Sequence, residues 1–427
     1  MPENVSPPSP NSQNQEDKKP RFNLYTWLFD NPERFFWVIV SLGLIGGLAA
    51  LMVPNCIDWQ ISSNDPADTK AEEIKQKSIS DLRLHILYIT GGIIAILTLL
   101  QNSWKNQIDR RKIEDDIQKN KNDHIRQVHA ERRSRYTKAV EQLGDEKAAV
   151  RLGGIYTLVS LVDEWFTDPD VDIIAGKKEG QVIINNLCSY IRSPFPLAEN
   201  KYFLEKKNLT DNEFKKYNGN FKDDQKKLQE EKDIRRAILN EIKYRCSASL
   251  ALDEDGDESV YTEFWPSFVY DFSYANFFYP VYLNDVFFKA TVNFADATFK
   301  DYTTFSGSMF LNHVSFSSAT FEGELDFSQT NFESPVYFDE AIFHNVSIFE
   351  ESLFSKSDFS RAKFNNITSF RGSFFDETAV FNKTIFTNVD FSDTSFKENT
   401  HFENTTFKGS AFFDGSTIAS SVDSDPS

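Results

Sequence analysis

Cysteine is nearly absent. Only Cys56, Cys188 and Cys246 occur in 427 residues, scattered and without a CxxC pair. That spacing excludes a disulfide scaffold and a zinc knuckle. Histidine is scarce too, and His85, His124, His129, His313, His344 and His401 form no metal-spaced cluster. No phosphate loop, dinucleotide glycine fingerprint or nucleophile elbow is present. An enzyme needs convergent reactive groups, so neither catalysis nor a cofactor or metal is expected. Glycine (17) and proline (15) are too few for a collagen-like or generally disordered chain. Basic residues fall short of acidic ones, and the net charge is -18. The deficit is uneven: from Tyr261 to the end, 23 acidic residues face 9 basic ones, a balance of -14. Phosphate contacts need Lys and Arg, so direct nucleic acid binding is not expected of that region.

Charge is missing altogether from two stretches. Residues 1–34 begin with MPENVSPPSPNSQNQEDKKP, the composition of a disordered tail. Phe35–Val53 then reads FFWVIVSLGLIGGLAALMV, close to the roughly 20 apolar residues that cross a bilayer as a helix. A signal peptide is the competing reading, but the run is long, far from Met1 and without a small-residue cleavage site. Leu84–Leu100, LHILYITGGIIAILTLL, is a second run, with Trp104 at interface depth beyond it. A buried helix of a soluble protein is the alternative for each. Gly43, Gly47 and Ala50, with Gly91, Gly92 and Ala95, would let two spanning helices approach closely. Lys18, Lys19, Arg21 and Arg34 precede the first run, and Lys105, Arg110, Arg111 and Lys112 follow the second. The positive-inside rule then puts both termini in the cytoplasm and 54–83 outside. Residues 35–104 are thus expected to be two transmembrane helices with a short external loop, and the lipid bilayer to be one partner. The basic cluster after the second run either binds anionic lipid heads or only fixes topology.

Residues 105–250 read as a cytoplasmic helical section. Gln101–Leu143 has no Pro or Gly, so one helix of about 60 Å is expected at the usual rise. Its apolar residues are sparse, which suits an exposed stalk or a weak partner-binding helix better than a coiled coil. Gly144 ends it and Asp145 is placed to cap the next helix. Residues 139–165 carry a dense apolar face, Val150, Leu152, Ile155, Leu158, Val159 and Val162. Gly153 and Gly154 within it imply close packing. Residues 181–193 read as a partner helix that stops before Pro194. Residues 197–233 are charged and poor in apolar side chains, hence a mobile excursion, and helical spacing returns over 233–245. Residues 251–271 read as an acidic linker and cap. DEDGDE (253–258) invites a calcium reading, but Glu258 stands where an EF-hand loop needs Gly, and a linker fits better.

Phenylalanine is in excess, with 41 copies. From Phe294 to Phe413 it recurs at steps of five or six only. Helices repeat every 3.6 residues and half-buried strands every two, so neither explains the steps. Two residues before each phenylalanine stands a small one, as in Val292, Ala297, Thr303 and Ser308. Residues two apart on an extended segment face one way. Each unit therefore points a large and a small side chain inward, and such units bury them only by stacking as coils. The core ladder on this reading includes Phe299, Phe310, Phe321, Phe332, Phe343, Phe354, Phe364, Phe375, Phe386, Phe396 and Phe407. Phe272, Phe277, Tyr282 and Phe288 extend it backwards, with Pro280 where a small residue is expected, so the first coil is expected to be distorted or to act as a cap. Ile418 is placed to close it, and 419–427 read as a disordered tail.

This pattern resembles the pentapeptide-repeat family in its phenylalanine-rich form. The resemblance implies a right-handed four-sided β-helix over 272–418, of six to seven coils and about 30 Å at the usual strand spacing. YTKAVEQLGDEKAAVRLGGIYTLVSLV, NNLCSYIR and DIRRAILNEI resemble the segment between spans and repeats in bacterial membrane-anchored members. That implies a multi-pass protein of the bacterial plasma membrane with no assigned catalysis. The function expected is a membrane-anchored, non-catalytic scaffold that presents a cytoplasmic rod to a protein partner. The alternative is an acidic decoy that mimics DNA and occupies a topoisomerase or other DNA-binding protein. With four sides per coil, every fourth outer residue shares a side. Met309, Leu353 and Phe374 then form the candidate partner surface, unless they cover corners or pack on the helical section. A second copy of the chain is a further candidate partner.

Overall fold

The structure, a computed structural model, describes residues 27, 31–57, 69–206, 210, 217–247, 265–397 and 399–418. Most of the first tail, the DEDGDE segment and the linker up to 264, and the tail 419–427 lie outside the described residues. The chain divides into two units, 1–124 and 125–427.

In the first unit, helix α1 (Pro32–Cys56) starts at Asn31, whose side chain accepts from the Glu33 amide. Proline in its first turn suits a position with no helical N–H partner. Helix α2 (Thr69–Leu143) is a single element of 75 residues. It begins well before the second apolar run and does not stop after it, because nothing between Thr69 and Leu143 breaks a helix except Gly91 and Gly92. α1 and α2 are both long and apolar enough to cross a membrane. Their close approach is not where the glycines of the sequence reading put it. A Cβ on Gly47, Gly91 or Gly92 would meet nothing, whereas one on Gly46 would lie 2.4 Å from Thr90 Cγ2. Thr90 donates its hydroxyl back to the Ile86 carbonyl, 2.8 Å away, and its methyl and hydroxyl together fill the space in front of Gly46.

In the second unit the end of α2 joins α3 (Ala148–Thr167), α4 (Ile173–Arg192), a 3-10 turn (Pro196–Asn200), α5 (Lys201–Leu204) and α6 (Phe221–Arg245). Ile155, Leu158, Val162, Ile184, Leu187, Ile238 and Ile242 are buried in one core. Gly154 is needed there, since a Cβ would sit 2.8 Å from the Ala139 carbonyl, while Gly153 faces open space. Asp145 does not cap α3; it accepts from the Lys147 amide in the preceding turn. The expected mobile excursion is corrected in part. α6 begins at Phe221, capped by Asn220, a full three turns before 233. Leu228 is its early buried anchor, and Ala198 and Leu204 are buried too. Charge hid these few apolar contacts. Residues 207–209 and 211–216 lie outside the described ones.

After Trp265 the chain winds as a β-solenoid of about six turns. Its strands are mostly two residues long and pair in parallel with every fourth strand: Tyr270 with Val292, Val292 with Val314, Val314 with Val336. Each of those turns takes 22 residues. From Val336 to Ser357 the turn shortens to 21, where a six-residue step becomes five. Four strand rows result, called here faces one to four from the strands at 270, 276, 281 and 287. Faces two and three merge where Lys363–Ser369 and Ile385–Asp390 run around the corner as continuous strands.

The interior holds phenylalanine stacks. On face two, Phe277, Phe299, Phe321, Phe343, Phe364 and Phe386 are each at most 1% exposed. Consecutive rings lie 4.3–5.0 Å apart and within 12° of parallel. The ladder's start differs from the sequence reading. Val281 pairs with Thr303, which sets Leu283, not Tyr282, opposite Phe305. Leu283 is fully buried and Tyr282 is 42% exposed. Val281 fills the small position, so Pro280 lies outside the inward pair and leaves the steps regular.

Two corner types alternate. After faces one and three the ladder carbonyl accepts from the amide three residues on, as Phe294 does from Ala297. The residue between, such as Asp296, has positive φ. That is the geometry of a type II turn. Interior hydroxyls tie successive coils: Ser308 donates to Leu283 O, Thr330 to Phe305 O and Ser352 to Phe327 O, at 2.6–3.0 Å.

The first coil is closed by the helical section. Cys246 O accepts from Phe287 N, Pro266 O accepts from Lys289 N, and Ser247 forms an antiparallel bridge with Val286. Phe278 lies between the Phe195 ring and the Arg235 guanidinium. Arg245 grips Asp163 through Nε and an NH2 group, and the Trp265 indole donates to the same carboxylate at 2.7 Å. Helices and ladder thus share one core.

Candidate interaction surface

The interior offers no reactive site. Phenylalanine fills it, and hydroxyls such as those of Ser308, Thr330 and Ser352 are spent on carbonyls of the neighbouring coil. Burial pushes the thiols of Cys188 and Cys246 up to about 12, so both stay protonated near neutral pH. Among the described residues, no three His, Cys, Asp or Glu side chains come together as a metal set. What the solenoid presents is its outside.

Face four carries the expected residues in one row. Phe287 pairs with Met309, Met309 with Asn331, Asn331 with Leu353, Leu353 with Phe374 and Phe374 with Ser395. Leu353 is 46% exposed, while Met309 and Phe374 are half-buried. Leu353 and Phe374 are direct neighbours on successive coils, and Asn331 separates them from Met309. The helical section does not cover them. Lys397 stands 4.7 Å from the centre of the Phe374 ring and 2.9 Å from Asp376 Oδ1, so the row ends in an ion pair lying on an aromatic face. The row also includes Phe287, which sequence reading missed because it was counted beside the ladder member Phe288.

A second apolar group is new. Val346 and Ile367 are stacked at the corner between faces two and three, and Ile367 is 53% exposed. Steps counted only between phenylalanines give no sign of a corner residue.

Phe407 is not a core residue. It is 39% exposed, and Phe412 and Phe413 are 52% and 37% exposed. Phe407 stacks on Phe386 below it, and among the described residues no further coil lies above it.

The charge on the outside is mixed. Arg361 contacts Glu340, Lys397 contacts Asp376 and Arg371 contacts Asp393, each pair across adjacent coils at 2.8–3.6 Å. No register position carries acidic residues on three successive coils.

The family model for pentapeptide repeats (9 copies) matches residues 305–352 and 349–395. No curated protein and no solved structure matched the chain. The repeat steps, the four strand rows and this match agree: the C-terminal region is a phenylalanine-rich pentapeptide-repeat solenoid.

Proposed function

We propose that this chain is a membrane-anchored, non-catalytic scaffold of the bacterial plasma membrane that holds its solenoid in the cytoplasm for a protein partner. The observation that carries the reading is the apolar pair Leu353 and Phe374, side by side on a regular rod, the first exposed and the second half-buried. An exposed group of this kind marks binding surfaces more often than scattered single side chains do. α1 and α2 supply the anchor, and the basic residues on their outer flanks favour cytoplasmic termini. On this reading the partner's contact surface is apolar, since Lys397 already has Asp376 as its ion-pair partner.

The decoy reading has less support. A DNA mimic needs carboxylates at regular spacing, and here no register position carries acidic residues on three successive coils, while Glu340 and Asp376 each sit against a base.

The test is capture of the partner by the tagged membrane protein. Leu353→Ser with Phe374→Ser should release it while the rod's unfolding transition stays put. Retention of the partner by the double variant removes this surface from consideration.

A further inference from the structure

We infer that the partner of face four is a basic, amphipathic helix that lies along the row of Met309, Leu353 and Phe374. The inference rests on the reading of that row as the partner surface and adds the partner's shape and charge. Shape follows from what the face offers. Its backbone is spent on neighbouring coils, as Leu353 N donates to Thr330 O and Phe374 N to Ser352 O, each at 2.9 Å. A partner strand has no edge to pair with there, and only side chains are left to contact. They come one per coil, so they recur along the rod at the strand spacing of about 4.8 Å. A helix laid along the rod returns a side chain to one line every turn, about 5.4 Å. An extended segment does so every second residue, about 6.8 Å, and falls out of step within two coils. Phe374 and Met309 are three coils apart. That is about 14 Å, or about ten residues of helix. The order along the row is apolar at Phe374 and Leu353, polar at Asn331 and apolar at Met309. It asks for apolar side chains on the first, second and fourth turns of a helix and a polar one on the third.

Charge follows from the two rims of the face. Glu351 stands at the corner that enters it, Glu333 and Glu377 at the corner that leaves it, and all three are exposed. None of the three is in an ion pair among the described residues, whereas Asp376 and Asp393 are held by Lys397 and Arg371. Glu333 and Glu351 accept from the neutral amides of Asn331 and Gln329, which leave their charge uncompensated. Lys356 is the base left over beside them, so three carboxylates stand against one ammonium. Carboxylates on both sides of an apolar row fit Lys and Arg on both flanks of a helix's apolar stripe. Such side chains lay their apolar stems along the row and carry the charge out to the rims.

The test uses the full chain in its native membrane, with the photo-crosslinker p-benzoylphenylalanine in place of Leu353. The crosslinked peptide, read by mass spectrometry, should carry the apolar spacing above with a surplus of Lys and Arg on its flanks. The same crosslinker at Lys363, exposed on face two, should not capture it. Glu351→Lys with Glu377→Lys should lower the yield at position 353 at least about tenfold, since like charges then face each other across the interface. The melt should not move, because Lys383 and Arg361 already occupy left-handed corners like that of Glu351. Capture of nothing at 353 overturns the partner surface itself, and this inference with it. Capture of an acidic or extended peptide, of lipid or of a second copy of this chain overturns the basic helix alone. So does a yield that the charge reversal leaves unchanged, or equal capture at 363 and 353.

Discussion

The Phe338 ring lies on Phe316 with centres 5.0 Å apart and planes 4° from parallel, and Phe349 meets it edge-on at 83°. The stacked ring belongs to the same face and the edge-on ring to the opposite face, so the two rows interlock across the interior. Both arrangements suit the aromatic quadrupole. Removing one ring breaks both.

Phe338→Ala should therefore cost about 3–5 kcal/mol, as for other buried phenylalanines. Asp339→Asn beside it should cost no more than about 1 kcal/mol, since its side chain points outward and accepts from the Ser317 hydroxyl. Denaturant unfolding of the two variants checks this, and equal losses would defeat the inward and outward assignment.

The interior hydroxyls should divide into two classes. Ser352 donates to Phe327 O at 2.6 Å, so Ser352→Ala should cost about 1 kcal/mol. Ser357 Oγ is buried without a partner. Ser357→Ala should be neutral or stabilising by about 1 kcal/mol, because it removes an unmet polar group. Thermal shifts of opposite or clearly unequal sign are the expected readout.

The left-handed corner positions should rank by space. Gly372 has φ +68 and room for a Cβ, with Glu351 Cγ at 3.5 Å. Gly372→Ala should cost about 1–2 kcal/mol for the backbone alone. Gly307, at φ +69, has Asp285 Oδ1 only 2.6 Å from an added Cβ, so Gly307→Ala should cost more. At Arg361, φ 61, Arg361→Gly should relieve part of that strain, against the loss of its Glu340 contact. Unfolding midpoints in that order would support the assignment.

Topology has a direct check. A reporter that works only outside the cytoplasm should be active when fused after Asp65 and silent after Ser427. The reverse pattern would place the solenoid outside, with the sequons Asn345, Asn366, Asn382 and Asn404 exposed to the exterior.

The solenoid was legible because its period is carried by one bulky residue and one small one. Where the bulky residue changes type, legibility fails. Leu283 holds a ladder place, but the aromatic Tyr282 next to it drew the count. Phe287 was passed over for the same reason, beside Phe288. The length of α6 was hidden because its first turns bury Leu228 alone among charges. Gly46 was invisible as the close approach, since only the rotation of α1 against Thr90 singles it out from Gly43 and Gly47. Phe407 matched the repeat in every respect, yet it lies in the last described coil and is 39% exposed. The candidate surface was readable as a row because register follows from step counts. Which side chains the helices would cover was not readable.

The alternation of corner types limits how such a rod can lengthen or shorten over generations. Left-handed corners follow faces one and three only. Gaining a single five-residue unit would move side chains such as Arg361 or Glu351 out of step with the corners that tolerate them. Gaining eleven residues, a five-step and a six-step, keeps every corner in its type but turns all later coils by half a revolution. Placed between Leu353 and Phe374, such a duplication would leave the interior intact and carry Phe374 to the opposite side of the rod. Only a gain of a whole coil changes the length and keeps the outer rows aligned.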